Sequence, residues 1–236
     1  MANVVALVSN SVDLETSIGS LELADRYSSL VYAALGIQPR SVNDLTEGEL
    51  EKTLGLISRQ ALNKALVAVG EIGLDSKYAN NWEDQLRVFE EMLHAAEKLR
   101  LPVIVHSRGV EAQIIDMLSS YNLKGVLLHF FTGPDKTLSK AIENDYYISE
   151  GPAVAYSEAV REIARKVPMT SLLMETDGPV RFYKRPFKGE RTTPAFIPLV
   201  VEALADIRDT DVQTVAEKLA SNFERFFRLK LHDPRS

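Results

Sequence analysis

Short runs of β-branched and aliphatic residues alternate along the chain with longer stretches whose apolar positions recur at helical spacing. The short runs predict seven strands, at residues 4–9, 31–36, 66–71, 103–106, 126–129, 146–149 and 171–175. The longer stretches predict helices between them, among them 13–27, 81–99 and 109–121, and two more, 193–207 and 211–227, after the last strand. Polar punctuation agrees with this order. Asp13 can cap the first helix, Thr46 stands three residues before Glu49 as in a capping box, Asn81 stands three before Asp84, and Pro102 follows a helix end.

Leu66-Val67-Ala68-Val69 and Pro102-Val103-Ile104-Val105 are apolar at nearly every position rather than at every second one. That is how strands covered on both faces read, and parallel sheets are built from such strands. Strand, helix, strand in repetition implies an α/β fold, either a doubly wound sheet or a barrel. At 236 residues the chain fits one domain spanning 1–236, with one sizeable core. The long irregular stretch is 176–191.

The chain has no Cys, so neither a disulfide nor a thiolate ligand is available, and any metal must be held by His, Asp or Glu. No run approaches the roughly 18 consecutive apolar residues of a membrane span, and the apolar start has no basic flank; the expectation is a cytoplasmic protein. A formal net charge of −6 removes the global basic footprint of a protein that wraps nucleic acid, so contact with DNA must be local.

The candidate chemistry comes from position. Glu71, His106 and His129 each close a predicted strand, and Asp177 lies two residues past the last one. In a βα barrel these C-terminal strand ends form the catalytic face. Two imidazoles and two carboxylates suit a divalent metal of the Zn, Mn or Mg type, which activates water for hydrolysis. Any one of the four could merely satisfy local hydrogen bonds, but four at the same end of four strands argue for a site. His94, mid-helix beside Glu90 and Glu91, and His232, in a charged tail, read as solvated surface. The segment 181–191 carries Arg181, Lys184, Arg185, Lys188 and Arg191 among Phe182, Tyr183 and Phe187. Cations there could contact phosphates and the rings could stack on bases; the same loop could also be plain solvated surface.

These residues stand in ordered runs that resemble the TatD family: Gly70-Glu71-Ile72-Gly73-Leu74-Asp75, Val105-His106-Ser107-Arg108, His129-Phe130-Phe131-Thr132-Gly133 and Glu175-Thr176-Asp177-Gly178-Pro179. Gly36-Ile37-Gln38-Pro39 and Ala220-Ser221-Asn222-Phe223 extend the resemblance over nearly the whole chain. It implies a TIM-type (β/α) barrel and a metal-dependent deoxyribonuclease. It also implies that Glu71 bridges two ions, that His106 and His129 complete one position, and that Asp177 serves the other and acts on the attacking water. Arg108, Arg181, Lys184 and Arg185 are the expected substrate-binding residues.

The chain departs from the family pattern in three places. It contains no His-x-His, Gln38 replaces a usual His, and Arg40 stands where a second His is common. Read as written, it begins at the family's second strand. The expectation is therefore an incomplete barrel of about seven parallel strands holding one ion rather than two, with open edges that favour a homo-oligomer. A start codon assigned too far downstream, a neighbouring subunit covering the gap, or a non-catalytic descendant would each account for the departure. Two other functions stand beside the nuclease: hydrolysis of a small ester, amide or phosphoester, and binding of a metal or partner without catalysis.

Overall fold

The computed structural model describes residues 4–46, 48–62, 65–185 and 187–231. His232 and, within the basic loop, Pro186 lie outside them. Seven strands alternate with helices, giving the α/β fold of parallel strands that the hydrophobic pattern predicts. The described residues pack as two compact units, one of residues 6–128 and the other of residues 129 onward together with 4–5. No helix of the described residues is long and apolar enough to cross a membrane.

The first unit contains β1 (Leu7–Asn10), α1 (Leu14–Arg26), β2 (Val31–Leu35), α2 (Glu49–Gln60), β3 (Leu66–Asp75), α3 (Trp82–Leu99), β4 (Val103–Arg108), α4 (Glu111–Leu118) and all but the last residue of β5 (Val126–His129). Each consecutive pair of strands from β1 to β5 is parallel. Asp13 caps α1 as expected: its Oδ1 accepts the Thr16 N–H at 2.8 Å, and Thr16 Oγ1 accepts the Asp13 N–H at 3.1 Å. Glu49 reaches back to accept the Thr46 N–H at 2.6 Å.

β3 is buried along its whole length, as its unbroken apolar run implies. It does not stop at Glu71. It continues to Asp75, with a register irregularity between Val69 and Ile72 where it pairs with β4. The expectation that Glu71 closes a strand is therefore corrected: the bulge re-aims the strand and pairing resumes beyond it. Asn81 is corrected as well. Residues Ser76–Asn81 form 3-10 turns, and the Asn81 amide donates to Asn43 Oδ1 at 2.8 Å instead of capping α3.

The second unit contains α5 (Asp135–Glu143), β6 (Tyr147–Glu150), α6 (Glu158–Lys166), β7 (Leu172–Met174), α7 (Ile197–Arg208) and α8 (Val212–Phe227). β6 and β7 are parallel, with Ile148, Ser149 and Glu150 facing Leu172, Leu173 and Met174 in register. Asp211 caps α8 through the Thr214 N–H at 2.8 Å. From the middle of α8, the Asn222 amide donates to the carbonyls of Met169 and Leu172, both at 2.7 Å, which ties the helix to β7. That bond set fixes where β7 begins.

Candidate metal centre

In the first unit, three acidic and basic side chains gather around His106, which does not close its strand as expected: β4 runs two residues further, to Arg108. Gly73 of β3 is the register partner of His106. A Cβ on Gly73 would lie 2.0 Å from the His106 carbonyl oxygen, and its φ of +141° is one that side chains rarely adopt, so only glycine lets the strands approach here. Glu71 and Asp75 flank Gly73 on the same face of β3. The imidazole sits between their carboxylates: His106 Nδ1 is 3.2 Å from Glu71 Oε1, and Nε2 is 2.9 Å from Asp75 Oδ2. Both acids are buried, Glu71 at 8% and Asp75 at 2% exposure.

Asp75 is held on every side. Its Oδ2 accepts from Arg108 Nη2 at 2.6 Å and lies 2.9 Å from His106 Nε2, and its Oδ1 accepts from Arg108 Nε at 3.0 Å and the Lys77 N–H at 2.9 Å. Its own N–H donates to the side chain of buried Gln85 at 2.9 Å. Burial pushes the Asp75 carboxyl up, but Arg108, the Lys77 amide and His106 together outweigh burial and hold it below the usual carboxylate value. Arg108 is half-exposed, with its guanidinium 5.7 Å from the centre of the Tyr78 ring.

In the second unit, His129, Glu175 and Asp177 each bring a ligand atom within 4.8 Å of the other two. His129 Nδ1 lies 3.5 Å from Glu175 Oε2, with the imidazole side chain 10% exposed. Ser149 Oγ donates to the same Glu175 oxygen at 2.5 Å. Asp177 and Phe130, which follows His129, both adopt left-handed backbone, with φ of +49° and +44°. Such strain in non-glycine residues gathers at functional sites. Glu150, at the end of β6, is fully buried, and neither carboxylate oxygen has a hydrogen-bond partner among the described residues. Burial, reinforced by the charge of Glu175, pushes its carboxyl well above the ordinary range.

The basic loop is a folded element. An antiparallel bridge joins Arg181 to Arg191, and the Thr192 N–H donates to the Val180 carbonyl at 2.8 Å. Phe187 turns inward to 2% exposure, its ring 4.9 Å from that of Phe196. Arg181, Lys184, Arg185, Lys188 and Arg191 stay exposed, as does Tyr183 at 84%. Arg181 donates to the Gly189 carbonyl, and Lys184 lies over the Tyr156 ring.

Imidazole nitrogens facing carboxylate oxygens at these distances, with Glu175 Oε1 buried and unbonded among the described residues, fit a divalent cation. Of the residues expected from sequence, Glu71 and His106 are neighbours in one unit, and His129 and Asp177 in the other. Asp75 and Glu175 were not expected to take part. Their signal was spacing: Asp75 shares a strand face with Glu71, and Glu175 lies two residues before Asp177.

Strands of this α/β class with imidazole–carboxylate groups at their C-terminal ends define a metal-dependent hydrolase. The chain belongs to the family of TatD related DNases, whose sequence profile matches residues 1–228. It is 29% identical over 237 residues to human "Deoxyribonuclease TATDN3", covering 96% of this chain and 85% of that protein. It is 31% identical to an uncharacterized metal-dependent hydrolase of Methanocaldococcus jannaschii, covering 96% of this chain and 87% of that one. Among solved structures, the TatD homologue YjjV of Escherichia coli K12 superposes with a TM-score of 0.89 at 29% identity, over 97% of this chain and 88% of that one. This likeness carries the TIM-type fold class expected from the sequence.

Proposed function

We propose that the chain is a deoxyribonuclease that uses a divalent cation of the Zn, Mn or Mg type, with Glu71 and His106 as its ligands in the first unit and His129 and Asp177 as its ligands in the second. The observation that carries the reading is the grouping of His129, Glu175 and Asp177, ligand atoms within 4.8 Å of one another, in a chain of the TatD related DNase family. When bound, such a cation lowers the pKa of a water towards about 7 and stabilises charge on a phosphoryl oxygen. Asp177, exposed three residues past the end of β7, orients the attacking water and takes its proton. Glu71, buried at 8% exposure, keeps its carboxylate fixed for the cation rather than for solvent.

Substrate recognition falls to Arg108, Arg181, Lys184 and Arg185. The last three stand on the anchored loop, where exposed cations supply phosphate contacts that the net charge of −6 does not supply elsewhere. The deoxyribonuclease name of the human relative supports DNA as the substrate.

The test is bound metal per chain measured beside cleavage of single- and double-stranded DNA with added Mn, Mg or Zn, for the parent chain and its Glu71→Ala and Asp177→Ala variants. Metal-dependent cleavage by the parent, lost in both variants, is the expected result. Turnover of small aryl esters or phosphoesters with no cleavage of DNA would move the assignment to a small-substrate hydrolase. Bound metal with no turnover on either panel would leave a binding protein.

A further inference from the structure

Asp75 is the least exposed carboxylate touching the proposed ligands, and the mechanism above gives it no task. Its contacts single out one nitrogen of one ring. Both Asp75 oxygens accept from the Arg108 fork, and Oδ1 accepts from the Lys77 N–H as well, so the carboxylate presents acceptors to its neighbours. At 2.9 Å, His106 Nε2 must therefore be the donor. In a neutral imidazole with its proton on Nε2, the lone pair is on Nδ1. That atom lies 3.2 Å from Glu71 Oε1, so a cation bound there would draw on the imidazole and the carboxylate together.

We infer that Asp75 is a positioning residue: it holds His106 in the Nε2–H tautomer and so presents Nδ1, beside Glu71, to the metal. The inference rests on the reading above that His106 is a ligand. It assigns Asp75 no contact with substrate or water.

Two features separate this role from simple charge neutralisation of Arg108. The first is rigidity. The Lys77 N–H fixes Oδ1 at 2.9 Å and Gln85 fixes the Asp75 backbone, with the Gln85 amide itself donating to the Tyr78 carbonyl at 2.8 Å. A carboxylate needed only to neutralise a half-exposed arginine has no use for such bracing. The second is aim. Oδ2, the oxygen His106 uses, also accepts from Arg108 Nη2 at 2.6 Å, so the arginine steers that oxygen onto the ring. Partners of this kind raise the basicity of the ligating nitrogen and fix ring orientation, and their loss weakens metal affinity by about 10- to 100-fold.

The experiment has two arms. Nitrogen-15 spectra of the histidines in the metal-free parent protein, assigned through His106→Gln, report the tautomer directly and need no Asp75 variant to fold. A proton on Nε2 is expected, and a ring protonated on Nδ1 alone would overturn the inference. Zinc and manganese titrations of the parent, Asp75→Asn and Asp75→Glu form the second arm, with circular dichroism on each variant. Asp75→Asn is expected to weaken binding by about 10- to 100-fold, with Asp75→Glu recovering part of the loss. Parental affinity in a folded Asp75→Asn protein would also overturn it. If the parent itself binds no metal while its spectra show the Nε2–H tautomer, the ligand assignment fails and the orientation by Asp75 stands.

Discussion

The Glu175 N–H donates to the Glu150 carbonyl at 3.0 Å, so the last residue of β6 and the first residue past β7 bring two acidic side chains to the same end of the strand pair. Their side chains leave opposite faces of the sheet, because Glu150 is in register with Met174 and Glu175 is the next residue. Glu175 turns to His129 and Ser149, whereas Glu150 is fully buried without a hydrogen-bond partner among the described residues.

Burial and the neighbouring Glu175 raise the Glu150 carboxyl well above 4.5, so the folded protein binds a proton there that the unfolded chain releases. The stability tied to that proton is complete below pH 4.5 and is lost as pH rises from there through the folded-state value. Glu150→Gln cannot ionise and removes the slope. In metal-free protein, urea melts should show the variant gaining on the parent steadily as pH rises above 4.5 into neutral solution. A stability difference that does not change with pH would mean Glu150 titrates normally.

Gly73→Ala should be among the most disruptive single-methyl additions in the chain. The new Cβ would meet the His106 carbonyl at 2.0 Å, and the backbone angle is unsuitable for alanine. Destabilisation should exceed about 1 kcal/mol, together with weakened metal binding because β4 must move away from β3. Thermal melts and metal titration check both.

Replacing Arg181, Lys184 and Arg185 together with Ala should weaken binding of single-stranded DNA and flatten its salt dependence. For single strands each lost phosphate contact reduces the slope of log K against log salt by about 0.7. Fluorescence anisotropy across a salt series, using an Asp177→Ala background to prevent cleavage, measures the change. An unaltered slope would show that these cations do not meet the backbone.

Tyr183→Ala tests the stacking role of the same loop. The ring is 84% exposed between flanking cations, whereas Phe187 is turned inward. If a base stacks on Tyr183, its loss should cost about 1–3 kcal/mol of single-strand affinity with little dependence on salt. Phe187→Ala should instead lower the melting temperature, because it removes a buried ring packed at 4.9 Å on Phe196.

Strand positions and the placing of His106 and His129 were legible because a period of two or an unbroken apolar run survives in the folded sheet. What the pattern could not carry was backbone irregularity. The bulge near Glu71 depends on how β3 pairs with β4, and no local composition announces it. The extension to Asp75 was hidden for the same reason, since Gly73 reads as a strand breaker until its contact with His106 is known. Asn81 fits a helix cap by composition, yet the 3-10 turns before α3 leave its amide nearer Asn43 than the helix N-terminus. Glu175 was visible in the sequence but lacked a reason for attention until Ser149 and His129 were found beside it.

The four-residue interval from Glu71 to Asp75 works as a ruler laid along one strand. Both acids face one ring only because an even number of residues separates them, and one inserted or deleted residue would turn one of them to the opposite face. The proposed ligand and the residue proposed to aim its neighbour thus share a single stretch of backbone. Length changes within it would disable both roles at once, and the turn just beyond it is bound to the same ruler through the Lys77 N–H on Asp75.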